Sequence, residues 1–260
     1  MLLARTSSAT ALIVALALPA FAALSGCGPA GINGSIDVPA GATAEGATTI
    51  NGSVNVGDGA KVGATATVNG GVRLGDNVTA ESAKTVNGGI RIGSGTKISE
   101  DVNTVNGGID LGKGADVAGA VMTVNGGIRL DGSHVGRGIT TFNGDIELGR
   151  GSRVEGGIHV ERPEFSNDLE RHIPRIVIGP ESVVQGTLKF DREVKLFVND
   201  TAKIGPVEGA TPQLYSGDDT NNPSASAATP TTDATAAAAP ADTTTSAKPS
   251  GKPAAGGVEK

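Results

Sequence analysis

The chain has 260 residues, with 21 basic and 27 acidic side chains, a net charge of −6. That balance argues against nucleic acid as a partner, which selects for a basic face. One cysteine rules out an internal disulfide, and no tryptophan, one tyrosine and five phenylalanines leave little to fill a broad core.

The first 26 residues read as an export signal. Arg5 supplies a positive n-region, and Ala11 to Leu18 is an apolar run too short to span a bilayer. Leu24-Ser25-Gly26-Cys27 follows. This segment resembles the lipobox of bacterial lipoproteins, whose cysteine becomes the first mature residue and carries lipid. The resemblance makes Cys27 the lipidation site and the membrane a partner. Several acyl chains would anchor the protein stably, since two are already enough. Gly28 stands where lipoproteins held at the inner membrane commonly have Asp, so it implies the outer membrane, with the protein facing the periplasm or the cell surface. Losing Arg5 with the signal leaves 20 basic against 27 acidic residues, a net −7. Residues 27–31 are then a lipidated linker.

From residue 32 a motif close to Thr-Val-Asn-Gly-Gly-Ile/Val returns, with its Asn at 33, 51, 69, 87, 106, 125 and 143. A repeat of about 18 residues, lengthened by one after Asn87 and again after Asn106, with short strand-like blocks, predicts stacked coils. The fold class is all-β: a single-stranded parallel β-helix of about 18-residue coils, eight or nine in number, over residues 32–207. In the copy beginning at Thr85, Val86, Ile90 and Ile92 alternate with polar residues, with Gly88 on the same parity, which predicts one inward face. Further lone aliphatics, Val62, Ile98, Val117 and Val154, with Val102 and Val121 between them, complete a narrow column. The 40 glycines belong to tight corners.

The repeated polar residues predict ladders between coils. Asn51, Asn69, Asn87, Asn106, Asn125 and Asn143 are expected to pass amide hydrogen bonds along one corner. Asp37, Asn55, Arg73, Arg91, Asp110, Arg129 and Glu147 form an outward column whose charges alternate in sign from Arg91 onward and fix register.

Residues 161–175 are charged, glycine-free and bounded by prolines. They predict an excursion from the solenoid, with a short helix capped by Ser166 or Asn167. Loops on rigid scaffolds often carry function, so Phe165, Arg171, His172 and Arg175 are the candidate partner-binding residues. Strands resume at Ile176–Gly179, Gly186–Phe190 and Val194–Val198. Residues 208–260 are rich in Ala, Thr and Pro, with Pro223, Pro230, Pro240, Pro249 and Pro253, and predict a disordered tail, most plainly from Ser216.

The Val-Asn-Gly-Gly-Ile coils resemble β-helical repeats of bacterial adhesins. Ile178-Gly179-Pro180-Glu181-Ser182-Val183-Val184-Gln185-Gly186 resembles the coils of bactofilins, polymer-forming proteins typical of the cytoplasm or the inner membrane's inner face. Together these resemblances cover residues 32–207. The lipobox and signal depart from the bactofilin pattern, and the repeats carry no catalytic constellation. The expectation is therefore a non-enzymatic lipid-anchored envelope scaffold or adhesin-like module whose long side wall binds cell-wall or envelope components and whose solenoid ends are edges open to self-association. The alternative is a β-helix enzyme acting on envelope or extracellular polysaccharide, for which Asp110, Asp131, Asp145 and Glu147 are the candidate carboxylates. An acyltransferase would need a base from His134, His159 or His172. No cofactor or metal motif is present in the sequence.

Overall fold

Each Ile/Val-x-Ile/Leu/Val triplet places two aliphatics on one side of a three-residue strand, and a glycine-rich corner follows it. In the computed structural model, described for residues 30–162, 172–217 and 220, these triplets stack in parallel into a ten-stranded sheet. One strand per coil gives ten coils, more than the eight or nine expected, and at the usual strand spacing the stack rises about 45 Å. Among the described residues all regular structure is β. Register is unshifted along the column: Ile36, Val54, Val72, Ile90, Ile109, Ile128 and Ile146 pair in succession. All are buried, and each stabilises the fold by about 1.5–3 kcal/mol relative to exposure.

The second sheet holds 16 strands and branches. Early coils contribute nine-residue strands, Thr43–Asn51, Lys61–Asn69 and Thr79–Asn87. The last of these pairs with two short strands at once. Its start pairs with Lys97–Ile98 (Ala80↔Ile98) and its end with Val102–Asn106 (Ala83↔Val102), so the second offset is longer by a single position. That extra residue lies between Ile98 and Val102 and opens a third corner. The first lengthening of the repeat, after Asn87, thus marks the point where two long walls become three short ones.

The inward face differs from the alternation expected at Val86. Thr49, Thr67, Thr85, Thr104 and Thr123 point inward and are buried, whereas Val68, Val86, Val105 and Val124 face outward and stay partly exposed. The cause is the corner. Each threonine hydroxyl donates to a glycine carbonyl of the preceding coil (Thr67 to Gly52 at 2.7 Å, Thr85 to Gly70 at 2.7 Å, Thr104 to Gly88 at 2.8 Å). Buried hydroxyls and corner carbonyls satisfy each other, which a valine at that position could not do.

The first glycine of each Asn-Gly-Gly is required by close approach. A Cβ at Gly70, Gly88 or Gly107 would lie 2.0–2.1 Å from the carbonyl oxygen of the equivalent glycine one coil below.

The solenoid also extends beyond residue 207. Gln213–Tyr215 adds the tenth strand, and Tyr215 is buried with its hydroxyl donating to Ile178 O at 3.2 Å. Strand pairing, the Asp200 N–H bond to Tyr215 O at 3.0 Å and the buried Tyr215 ring together hold a segment, 208–215, that composition alone places in the tail. The signal segment, Cys27, Phe165, Arg171, and the helix expected at Ser166 or Asn167 lie outside the described residues.

Candidate functional site

The asparagines project from the corner after each threonine strand. Asn51 donates to Asn33 Oδ1 at 2.9 Å, Asn69 to Asn51 at 2.8 Å, Asn87 to Asn69 at 3.0 Å, Asn106 to Asn87 at 3.0 Å and Asn125 to Asn106 at 3.1 Å. Asn33, outside the expected set, founds this ladder. Asn143 stands apart from it. Its strand ends at Thr141, whose hydroxyl accepts from Gly144 N at 3.0 Å, and Asn143 Oδ1 instead accepts from Arg192 at 3.3 Å. Phe142, in place of the usual valine, is buried apart from the main core cluster.

The outward charged column lies in register on the ten-stranded sheet. Asn55 donates to Asp37 at 2.8 Å, Arg91 Nε lies 3.6 Å from Asp110, and Arg129 makes two bonds to Glu147 Oε2 at 2.9 and 3.0 Å. Three of the four carboxylates considered for polysaccharide chemistry have structural partners. Asp110 faces Arg91, Glu147 holds Arg129 and also accepts from Thr220, and Asp145 Oδ1 accepts from Arg175 N at 2.8 Å and meets His172 Nε2 at 3.0 Å. Asp131 is exposed.

All three histidines lie beside carboxylates. His159 sits between Asp191 (2.7 Å from Nε2) and Glu161 (3.5 Å from Nδ1). Burial pushes the Asp191 carboxyl up, but the hydrogen bonds and charges of His159 and Lys189 outweigh it and leave the group below its ordinary value. His134 Nδ1 meets Asp116 at 2.6 Å, and its Nε2 lies 3.4 Å from Glu155 without a hydrogen bond. Among the described residues no three His, Cys, Asp or Glu side chains could hold a metal ion together.

Of the excursion residues, His172 and Arg175 return to the solenoid wall. Besides its bond to Asp145, Arg175 lies 5.5 Å above the Phe197 ring and donates to Thr220 O at 3.1 Å. Arg192, which the sequence did not single out, reaches His172 O at 2.7 Å and Phe142 O at 3.1 Å. These residues fasten the exit of the excursion, with Asp145 and Arg192 as clamps. Nothing in the sequence paired them, since Asp145 lies 30 residues from Arg175. Arg192 could have been noticed as a cation just after a core strand.

Sequence reasoning also missed an outward aliphatic stripe. Ile32, 68% exposed, is followed by the partly exposed Ile50, Val68, Val86, Val105 and Val124 beside the asparagine ladder. The exposed partner of each buried threonine was the available signal. Comparison with known proteins gives no match: no family model, no curated protein and no solved structure matches this chain.

Proposed function

We propose that the chain is a non-enzymatic, lipid-anchored envelope protein of the outer membrane, with the solenoid as a rigid scaffold or adhesin-like binding module and an option of end-to-end self-assembly. The observation that carries this reading is the use of the repeat's own polar groups: threonine hydroxyls, asparagine amides and most of the charged column bond from coil to coil, which builds stiffness rather than a reactive cleft. The lipobox at Leu24 to Cys27 supports the anchor. The last coil supports self-assembly. Core-facing Ile204, Val207 and Leu214 are partly or largely exposed there, although their partners one coil below, Val184, Leu188 and Val198, are buried. Unpaired parallel edges with exposed apolar side chains are templates for another strand.

Two measurements test the reading. Radiolabelled palmitate should enter the wild-type chain and not Cys27→Ser; equal labelling would refute the anchor. Electron microscopy and sedimentation of the purified chain should show filaments that Leu214→Asp abolishes. Discrete rods at all concentrations would leave a monomeric binding module.

A further inference from the structure

Along the outward column of the ten-stranded sheet, one step sets like on like. Arg73 and Arg91 oppose each other directly in register, while the other steps pair unlike charges or place an amide between charged groups. Like charges directly opposite on neighbouring strands are destabilising. The repulsion is poorly relieved. Arg73 has one weak contact, to Asn55 Oδ1 at 3.5 Å, and the ion pairs of this column among the described residues involve Arg91 and Arg129 rather than Arg73. Both arginines are exposed.

This pair borders a furrow of about 380 Å³. Its floor is the column of second glycines, Gly71 and Gly89, which carry no side chains and so let a ligand approach the backbone. Ser53 and Asn55 close its lower end with a hydroxyl and an amide. Arg73 and Arg91 stand on neighbouring strands, about 4.8 Å apart along the column, with Arg73 leaning toward Asn55 and Arg91 toward Asp110; an anionic oxygen group between them would draw both planar guanidiniums into a fork. Asp110 lines the upper end of the furrow, and Asp37 lies in the same column below Asn55, which limits the favourable field to about one such group.

We propose that this furrow binds an acidic polysaccharide, with one sugar carboxylate seated between Arg73 and Arg91 and neighbouring hydroxyls on Ser53 and Asn55. The carboxylate converts a repulsive step into charge-assisted hydrogen bonds to both arginines. The hydroxyl and amide beside them suit a sugar ring better than a bare phosphate. The inference goes beyond the scaffold reading and does not depend on lipidation or self-assembly.

The test is affinity electrophoresis of the purified full chain through gels containing polygalacturonate, dextran sulfate, polyphosphate or neutral dextran. Polygalacturonate should retard the chain most and neutral dextran not at all, with retardation falling as salt rises. Arg73→Gln and Arg91→Gln should each weaken binding at least about tenfold, the loss expected when a charge-assisted partner is removed. Arg129→Gln, from the ion-paired part of the same column, should bind within about twofold of wild type, because its contribution is not local to the furrow. Arg73→Gln should be at least as thermostable as wild type, which separates lost binding from lost folding. Retardation unchanged in both variants, an equal loss in Arg129→Gln, or no retardation by any anionic polymer would overturn the site. Stronger retardation by dextran sulfate or polyphosphate than by polygalacturonate would overturn the carboxylate assignment.

Discussion

Replacing the first or the second glycine of one Asn-Gly-Gly corner with alanine should have very different effects, although the two residues are adjacent. At Gly88 the new methyl would lie 2.0 Å from Gly70 O and 2.5 Å from its carbonyl carbon. An unstrained carbon contact needs about 3.5 Å, so the corner would have to open by roughly 1–1.5 Å. It cannot do so freely, because the strands on either side of the corner hold adjacent coils in paired register. Gly70 O also accepts the Thr85 hydroxyl at 2.7 Å, a bond the methyl would displace at a cost of about 1 kcal/mol. Together the two effects predict a loss of about 3 kcal/mol, among the larger single-site effects. At Gly89 the methyl would meet Gly108 O at 3.3 Å, and a shift of a few tenths of an ångström accommodates it, for a cost under about 1 kcal/mol. Thermal unfolding of the full chain, followed by circular dichroism, should therefore fall by about 6–12 °C for Gly88→Ala and by no more than about 4 °C for Gly89→Ala, at roughly 2–4 °C per kcal/mol. Equal midpoints within about 1 °C would refute the close-approach account of the corner.

Thr104→Val should cost about 1–2 kcal/mol, because it leaves the Gly88 carbonyl without its buried donor, and Thr104→Ser should recover most of that in urea titrations. Tyr215 is the only tyrosine, and burial raises its pKa from 10.0. Its contribution to stability is therefore complete below pH 10.0 and is lost as pH rises through the higher folded-state value, so stability should fall less steeply in alkali for Tyr215→Phe than for wild type. Phenolate absorbance follows the same group directly. Asp191 has the opposite sign. With its folded-state pKa below 3.8, its contribution is present above that pH and is lost as acid protonates it in the folded state. His159→Gln removes the chief lowering partner, so its acid-unfolding midpoint should lie at higher pH than that of wild type; coincident acid limbs would show that the contact adds nothing.

Much of this fold was legible because its information is periodic. The spacing of the asparagines gave the coil, and the triplet aliphatics such as Ile90 and Ile92 gave the inward face of the ten-stranded sheet. Parity across the corner was not legible. Alternation counted straight through Asn-Gly-Gly put Val86 inward, but the chain bends there, and a hydroxyl that must satisfy a buried carbonyl outranks the more apolar neighbour. The longer spacing after Asn87 was visible in the sequence, but its meaning, a third wall opening between Ile98 and Val102, depends on register. Among candidate site residues, the column containing Arg73 and Arg91 could be read as a list of charges. Only the pairing of coils shows that these two directly oppose each other beside a glycine-floored furrow. Asp145 and Arg192 were illegible because their partners lie 20 to 50 residues away in sequence and follow no repeat.

The excursion also shows how loosely coil length is constrained. Ile128 pairs with Ile146, and Ile146 with Ile176, in unbroken register. Yet Arg129 and Glu147, one coil apart, are separated by 18 residues, while Asp145 and Arg175, also one coil apart, are separated by 30. Closing the longer connection costs only about 0.5 kcal/mol more, from (3/2)RT times the logarithm of the length ratio. Each rung aligns on the one beneath it through side-chain columns and edge hydrogen bonds, so the template rather than the tether sets the geometry. The architecture thus behaves as a ruler that admits insertions: extra residues can stand between two rungs without altering the graduation, with the return to the wall fastened here at His172 and Arg175 by Asp145 and Arg192.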